Sequence, residues 1–187
     1  MPATPGADAL DLLFFHGLES GPRGRKVQAF EAAGHRVRSP DMRGLDLAAR
    51  VPVATAALDE ACAAVGRPPI VIGSSYGGIT AVLVAMAVAA RATPLRLPGL
   101  VLAAAALELP EPPVLAIGVE RLDAGCPTIL VHGLRDDVVP IAWSRRYAAR
   151  TGSALWEVDD DHGLGSSVEV LLRACRAFTD VGAVEPG

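Results

Sequence analysis

The sequence predicts an α/β fold: a mostly parallel sheet of about six strands with helices on its faces, organised as one domain over residues 1–187. Short apolar, β-branched runs alternate with longer alanine-rich segments, which is the rhythm of βαβ units. The chain is also long and apolar enough to bury a substantial core, with 187 residues of which 51% are hydrophobic and 20% charged, and one domain is the default at that length. No internal repeat or low-complexity linker divides it.

In order along the chain, residues 10–15 read as a strand and 24–33 as a helix, stopped by Gly34, where a left-handed C-terminal cap suits glycine. Residues 35–39 give the next strand, ending at Pro40, and 48–65 a helix closed by Gly66 and by Pro68 and Pro69. An apolar strand over 70–73 leads through a serine- and glycine-rich turn into a buried helix reaching about residue 92. Pro94 and Pro98 break the chain before a strand over 100–106. Residues 109–125, with Pro110, Pro112, Pro113, Gly118 and Gly125, are expected to form a surface connection with at most a short turn of helix. A strand over 128–132, a helix over 141–150, a strand over 154–158 and a helix over 168–178 complete the set, and the tail over 181–187 is expected to fray.

Composition narrows the function. The formal net charge is −4, and basic residues are scattered from Arg23 to Arg176, so no nucleic-acid partner is expected. Cys62, Cys126 and Cys175 are odd in number, far apart and without a CxxC pair, which supports neither a disulfide framework nor a zinc site. They are expected as reduced, buried thiols of a cytoplasmic protein. The N-terminal stretch MPATPGADALDLLFFHG lacks a basic region, and its apolar run is too short for a secretory signal. The run over 79–90 falls well below the roughly 20 residues of a membrane span, so no membrane partner is expected either.

The chemistry is concentrated in VIGSSYGGIT, residues 71–80. In the pattern G-x-S-x-G a serine sits on a tight strand-to-helix turn, and glycines two before and two after remove β-carbons that would collide at so sharp a bend. Gly73 and Gly77 bracket Ser75 in that way, whereas Ser74 has no glycine two residues before it. A dinucleotide-binding turn would need G-x-G-x-x-G and an acidic residue about 20 positions on, yet residues 79–107 contain no Asp or Glu. A phosphate-binding loop fails because no lysine follows the glycines.

A serine hydroxyl needs a base, and the base needs an acid to orient it, in the chain order serine, acid, histidine. Of His16, His35, His132 and His162, only the last two follow Ser75. His132 ends a strand, where His-Gly is expected to shape a turn, and His162 lies on the loop after the last strand, where the base belongs. Asp136, in HGLRDDVVP, is the favoured acid; Asp137 is the reserve, otherwise a solvated loop carboxylate. The run from Asp159 to Asp161 is expected as a solvated cap before the last helix. Loops at the carboxyl ends of parallel strands converge on one rim, where these groups meet. Two backbone amides would receive a developing oxyanion, those of Tyr76, next to the serine, and of Leu18, on the loop after the first strand. No metal or cofactor is needed.

His-Gly after the first strand, GSSYGG, HGLRDDVVP and DHGL together resemble the α/β-hydrolase superfamily, in order across nearly the whole chain. FFHGLESGPRGRK followed by SPDMRG is similar to the small, lidless bacterial esterases of the YqiA type, with departures at Leu18, Glu19 and Gly163 that bear on substrate and not on the triad. The resemblance implies a three-layer α/β-hydrolase fold without a large cap domain, only residues 109–125 being available to cover the site. It implies a serine hydrolase of carboxylic esters, acting on a small-molecule ester with short or exposed acyl groups through Ser75, His162 and Asp136, with the amides of Leu18 and Tyr76 as the oxyanion hole. A thioesterase on acyl-CoA-like substrates and a catalytically silent hydrolase-fold binding protein are the alternatives.

Overall fold

Six strands, β1 (Asp11–Phe15), β2 (Arg36–Arg38), β3 (Ile70–Ser74), β4 (Leu100–Ala103), β5 (Thr128–Gly133) and β6 (Ala154–Val158), form one sheet in the order β2-β1-β3-β4-β5-β6. Every neighbouring pair is parallel. Parallel neighbours require crossovers, and the helices that supply them cover both faces of the sheet. The structure, a computed structural model, describes residues 9–179. The expected fraying of 181–187 and the first eight residues of the N-terminal stretch lie outside the described residues.

The strand period of two sorts the core into two layers. Leu12 and Phe14 of β1, with Ile72, Val101 and Val131, pack under α1 (Arg25–Ala32) and α6 (Val168–Arg176) through Phe30, Leu171 and Leu172. Leu13 and Phe15, with Val71, Leu102 and Leu130, pack under α2 (Leu47–Val65), α3 (Tyr76–Ala89) and α5 (Ile141–Thr151) through Leu58, Ile79 and Tyr147. Helix α3 is buried on nearly every side, as its unbroken apolar run demands. Gly34 and Gly66 take positive φ values, 86° and 78°, at the ends of α1 and α2.

Three expectations need correction. Strand β4 stops at Ala103 and not at 106, because Ala104 turns into the left-handed region at φ 46° and leaves the ladder. Between β4 and β5 the connection is more than a surface loop: Pro112 opens the short helix α4 (Pro112–Ile117), a 3₁₀ turn follows over Val119–Arg121, and Val114 and Leu122 are fully buried. Proline at the first helical position sets φ and lacks only an N–H the helix would leave unpaired, which is why a proline-rich segment becomes helical here. Only Cys175 is a buried thiol, pushed by burial up to about 12, whereas Cys62 and Cys126 are half-buried. Among the described residues no cap domain interrupts the sheet, and no helix is long and apolar enough to cross a membrane.

The strand order reverses between β1 and β3, since β2 lies on one side of β1 and β3 on the other. Loops leaving the carboxyl ends of those two strands diverge and leave a crevice. Ser75 follows β3, and the His16-Gly17-Leu18 loop follows β1.

Candidate active site

Ser75 joins β3 to α3 at φ 54°, ψ −120°, a conformation costing a side-chain-bearing residue about 1–3 kcal/mol. The surroundings hold it there. Its N–H donates to Ala103 O at 2.9 Å, and its carbonyl accepts from Gly78 N at 2.8 Å and Ala106 N at 3.0 Å. The glycines are there for close approach. A β-carbon at Gly77 would overlap the Phe15 carbonyl and come within 2.9 Å of His16 O, and one at Gly73 would come within 2.7 Å of the Gly78 Cα. Thus β1, its loop and the start of α3 press together only because those side chains are missing.

His162 stands on the loop after β6, which rests on the end of β5: a β-carbon at Gly133 would come within 2.7 Å of Asp161 O. The His162 Nε2 lies 3.1 Å from Ser75 Oγ, and its Nδ1 lies 2.9 Å from Asp136 Oδ2. An ionised carboxylate only accepts, so Nδ1 carries the proton and Nε2 accepts from the serine hydroxyl. Asp136 Oδ1 accepts from the amides of Val138 at 2.9 Å and Val139 at 2.8 Å, which fixes the carboxylate in its turn. Its side chain is fully buried, that of His162 is 23% exposed, and Asp137 points into solvent.

His132 does more than shape a turn. It is fully buried, with Nδ1 2.7 Å from Ser144 Oγ and Nε2 3.0 Å from Val139 O and 3.1 Å from Asp136 Oδ2. Carbonyl and carboxylate both accept, so Nε2 bears the proton and the Ser144 hydroxyl donates to Nδ1. Burial lowers the His132 pKa and keeps the ring neutral. The four-residue spacing from His132 to Asp136 across a strand end was the available signal. The acidic run is also not wholly solvated: Asp160 is buried, accepting from Ser166 N at 3.0 Å and Ser167 Oγ at 2.8 Å, and so ties the His162 loop to α6.

On the other side of the serine, a β-carbon at Gly17 would sit 3.3 Å from Ser75 Cβ, so the β1 loop lies in contact with the elbow. Neither the Leu18 amide nor the Tyr76 amide finds a protein acceptor among the described residues. His16 donates from Nδ1 to Gly17 O at 2.7 Å and accepts at Nε2 from Met42 N at 3.0 Å. The Tyr76 hydroxyl donates to Glu111 Oε1 at 3.0 Å, and burial pushes it up to about 12. Glu19, Arg23 and Arg43 line a recess of about 560 Å³ against this loop. A separate cavity of about 400 Å³, lined by Leu107, Leu122, Trp143 and Tyr147, includes none of Ser75, Asp136 or His162. Among the described residues no cluster of three or more His, Cys, Asp or Glu is placed to hold a metal ion.

The architecture matches known structures. A protein from Xanthomonas campestris pv. campestris, provisionally classed as a hydrolase of the alpha/beta superfamily, is 25% identical, with 91% of this chain and 98% of that one covered and a TM-score of 0.69. A protein from Thermus thermophilus is 19% identical over 94% of this chain and 91% of its own, with a TM-score of 0.77. Est1E from Butyrivibrio proteoclasticus is 18% identical over 91% and 87%, with a TM-score of 0.68. No protein-family model matches the sequence, and no curated protein matches it. The chain has the α/β-hydrolase fold.

Proposed function

We propose that the protein is a serine hydrolase of carboxylic esters. Ser75 Oγ attacks the acyl carbonyl as His162 Nε2 takes its proton, and Asp136 stabilises the resulting imidazolium. The oxyanion is received by the amides of Leu18 and Tyr76. Collapse expels the alcohol, which takes the proton back from His162, and a water activated by the same imidazole releases the acid from the acyl-enzyme. The observation that carries this reading is the contact between Ser75 Oγ and His162 Nε2, 3.1 Å apart although the residues are 87 positions apart in sequence, with Asp136 2.9 Å behind. It is supported by the hydrolase description of the Xanthomonas neighbour and by the similarity of the loop sequences to the small, lidless YqiA-type esterases.

The only described structure between β4 and β5 is α4 and one 3₁₀ turn, so little protein is available to wrap a long acyl chain and short or exposed acyl groups are favoured. The test is labelling of the purified protein by a fluorophosphonate, followed by turnover of p-nitrophenyl esters of increasing acyl length beside acyl-CoA thioesters. Labelling and turnover are expected to vanish in Ser75→Ala and persist in Ser74→Ala, with turnover peaking at short esters. Labelling that survives Ser75→Ala overturns the assignment, and turnover of thioesters alone moves it to the thioesterase class.

A further inference from the structure

Arg50 lies near the start of α2, on the Tyr76 side of the sheet, and is 0% exposed. Burying a cation is costly unless it is paired, yet no carboxylate reaches ion-pairing distance of this guanidinium among the described residues. Its hydrogen bonds go to backbone carbonyls instead. Nε donates to Leu45 O at 3.1 Å and Nη1 to His16 O at 2.7 Å, while Nη2 lies 3.5 Å from Gly17 O. The guanidinium carbon sits 4.8 Å from the centre of the Tyr76 ring. Two of these four contacts fall on Gly17, which immediately precedes Leu18, and on Tyr76, and a third falls on His16 in the same loop.

The geometry of the peptide gives those contacts a consequence. Gly17 O belongs to the same peptide unit as the Leu18 N–H, and across a trans peptide the two point in opposite directions. Donors gathered on the oxygen side therefore aim the N–H the other way and, by drawing electron density to the oxygen, make it a stronger donor. His16 Nδ1 supplies one such donor at 2.7 Å. The cation also discourages a second proton on His16, whose pKa is lowered chiefly by burial, with Arg50 contributing. The ring thus keeps the tautomer that donates to Gly17 and accepts from Met42.

We propose that Arg50 is a positioning residue of the oxyanion hole: its buried guanidinium, behind the His16–Leu18 loop and against the Tyr76 ring, orients and polarises the Gly17–Leu18 peptide so that the Leu18 amide awaits the oxyanion beside that of Tyr76. The inference rests on the serine-hydrolase reading. A preorganised hole acts on the charge that develops in the transition state and not on the neutral ester, so Arg50 governs kcat more than KM.

The test compares wild type with Arg50→Met and Arg50→Lys, each rate expressed per site titrated by the fluorophosphonate, so that misfolded molecules do not count. Arg50→Met is expected to lower kcat by about 10- to 100-fold with KM changed less than about threefold. Arg50→Lys, which restores charge without the planar fork, is expected to fall between it and wild type. The hemiketal formed with a ¹³C-labelled trifluoromethyl ketone is expected to ionise at higher pH in both variants, because its oxyanion is held less well. A residue that only packs would leave per-site kcat and the hemiketal titration at wild-type values, and that result in a folded Arg50→Met protein overturns the proposal. Should Arg50→Met not fold, a wild-type per-site kcat and hemiketal titration in Arg50→Lys overturn it equally. Absence of labelling in wild type would instead reject the underlying hydrolase reading.

Discussion

Asp136 collects four donors, and among the described residues no lysine or arginine reaches ion-pairing distance of it: the amides of Val138 and Val139 lie on one oxygen, His162 and His132 on the other. Such a carboxylate is held as an acceptor from every side, which keeps the His162 proton on Nδ1 and leaves Nε2 free for the serine. Asp136→Asn keeps the shape but offers an N–H where the imidazole needs an acceptor, so kcat is expected to fall by about 10³- to 10⁴-fold while fluorophosphonate labelling becomes slow rather than absent. Asp137→Ala, at an exposed position, is expected to stay within about twofold of wild type. A loss as large in Asp137→Ala as in Asp136→Asn would reassign the acid. Chain order and the HGLRDDVVP spacing made Asp136 readable in the sequence. His132 had only its four-residue spacing to Asp136 to mark it, because a histidine before a strand-ending glycine otherwise looks the same whether it shapes a turn or braces a carboxylate. Arg50 was hidden for a related reason: an arginine in an alanine-rich helix looks like a solvated side chain until the fold buries it.

Among the elements, the strands and helices followed from apolar runs and from their glycine and proline punctuation, and the departures lie where tertiary contacts override local preference. Residues 104–106 have strand composition, yet Ala104 leaves the sheet so that Ala106 N–H can reach the carbonyl of Ser75. The glycines of the elbow and of the helix ends look alike in sequence and differ in what they meet. A β-carbon at Gly66 finds nothing within 4 Å, so Gly66→Ala bears only the left-handed strain, about 1 kcal/mol. At Gly77 it would run into the Phe15 carbonyl, which belongs to the central ladder and does not move. Gly77→Ala is therefore expected to cost more than about 3 kcal/mol in urea unfolding, or to give insoluble protein. Equal, small losses for the two variants would mean that the elbow is looser than its contacts imply.

For the molecule as a whole, the sheet that aligns the candidate site also buries three imidazoles, and this makes stability depend on pH in a definite direction. His16, His35 and His132 are each nearly or wholly inaccessible, and burial lowers the pKa of each below the ordinary 6.5. His16 Nε2 and His35 Nδ1 accept from the amides of Met42 and Leu10, so a second proton on either would set N–H against N–H. With the folded pKa below the unfolded one, the unfolded chain binds more protons between the two values, and stability rises with pH across that window. The contribution is complete above about pH 7 and is lost on acidification below about 6.5, at up to about 1.4 kcal/mol per pH unit for each histidine. Asp11 adds a later stage of the same sign. The hydrogen bond from Arg36 holds its pKa below the ordinary 3.8, so its contribution persists above that value and is lost as pH falls through the folded one. Urea midpoints are accordingly expected to fall between pH 7 and pH 5 and to fall again below pH 4. His35→Gln, far from the serine, should flatten the first fall, since glutamine has no proton to take up. Midpoints constant from pH 7 to pH 5, or a slope indifferent to His35→Gln, would show that the buried rings do not control it.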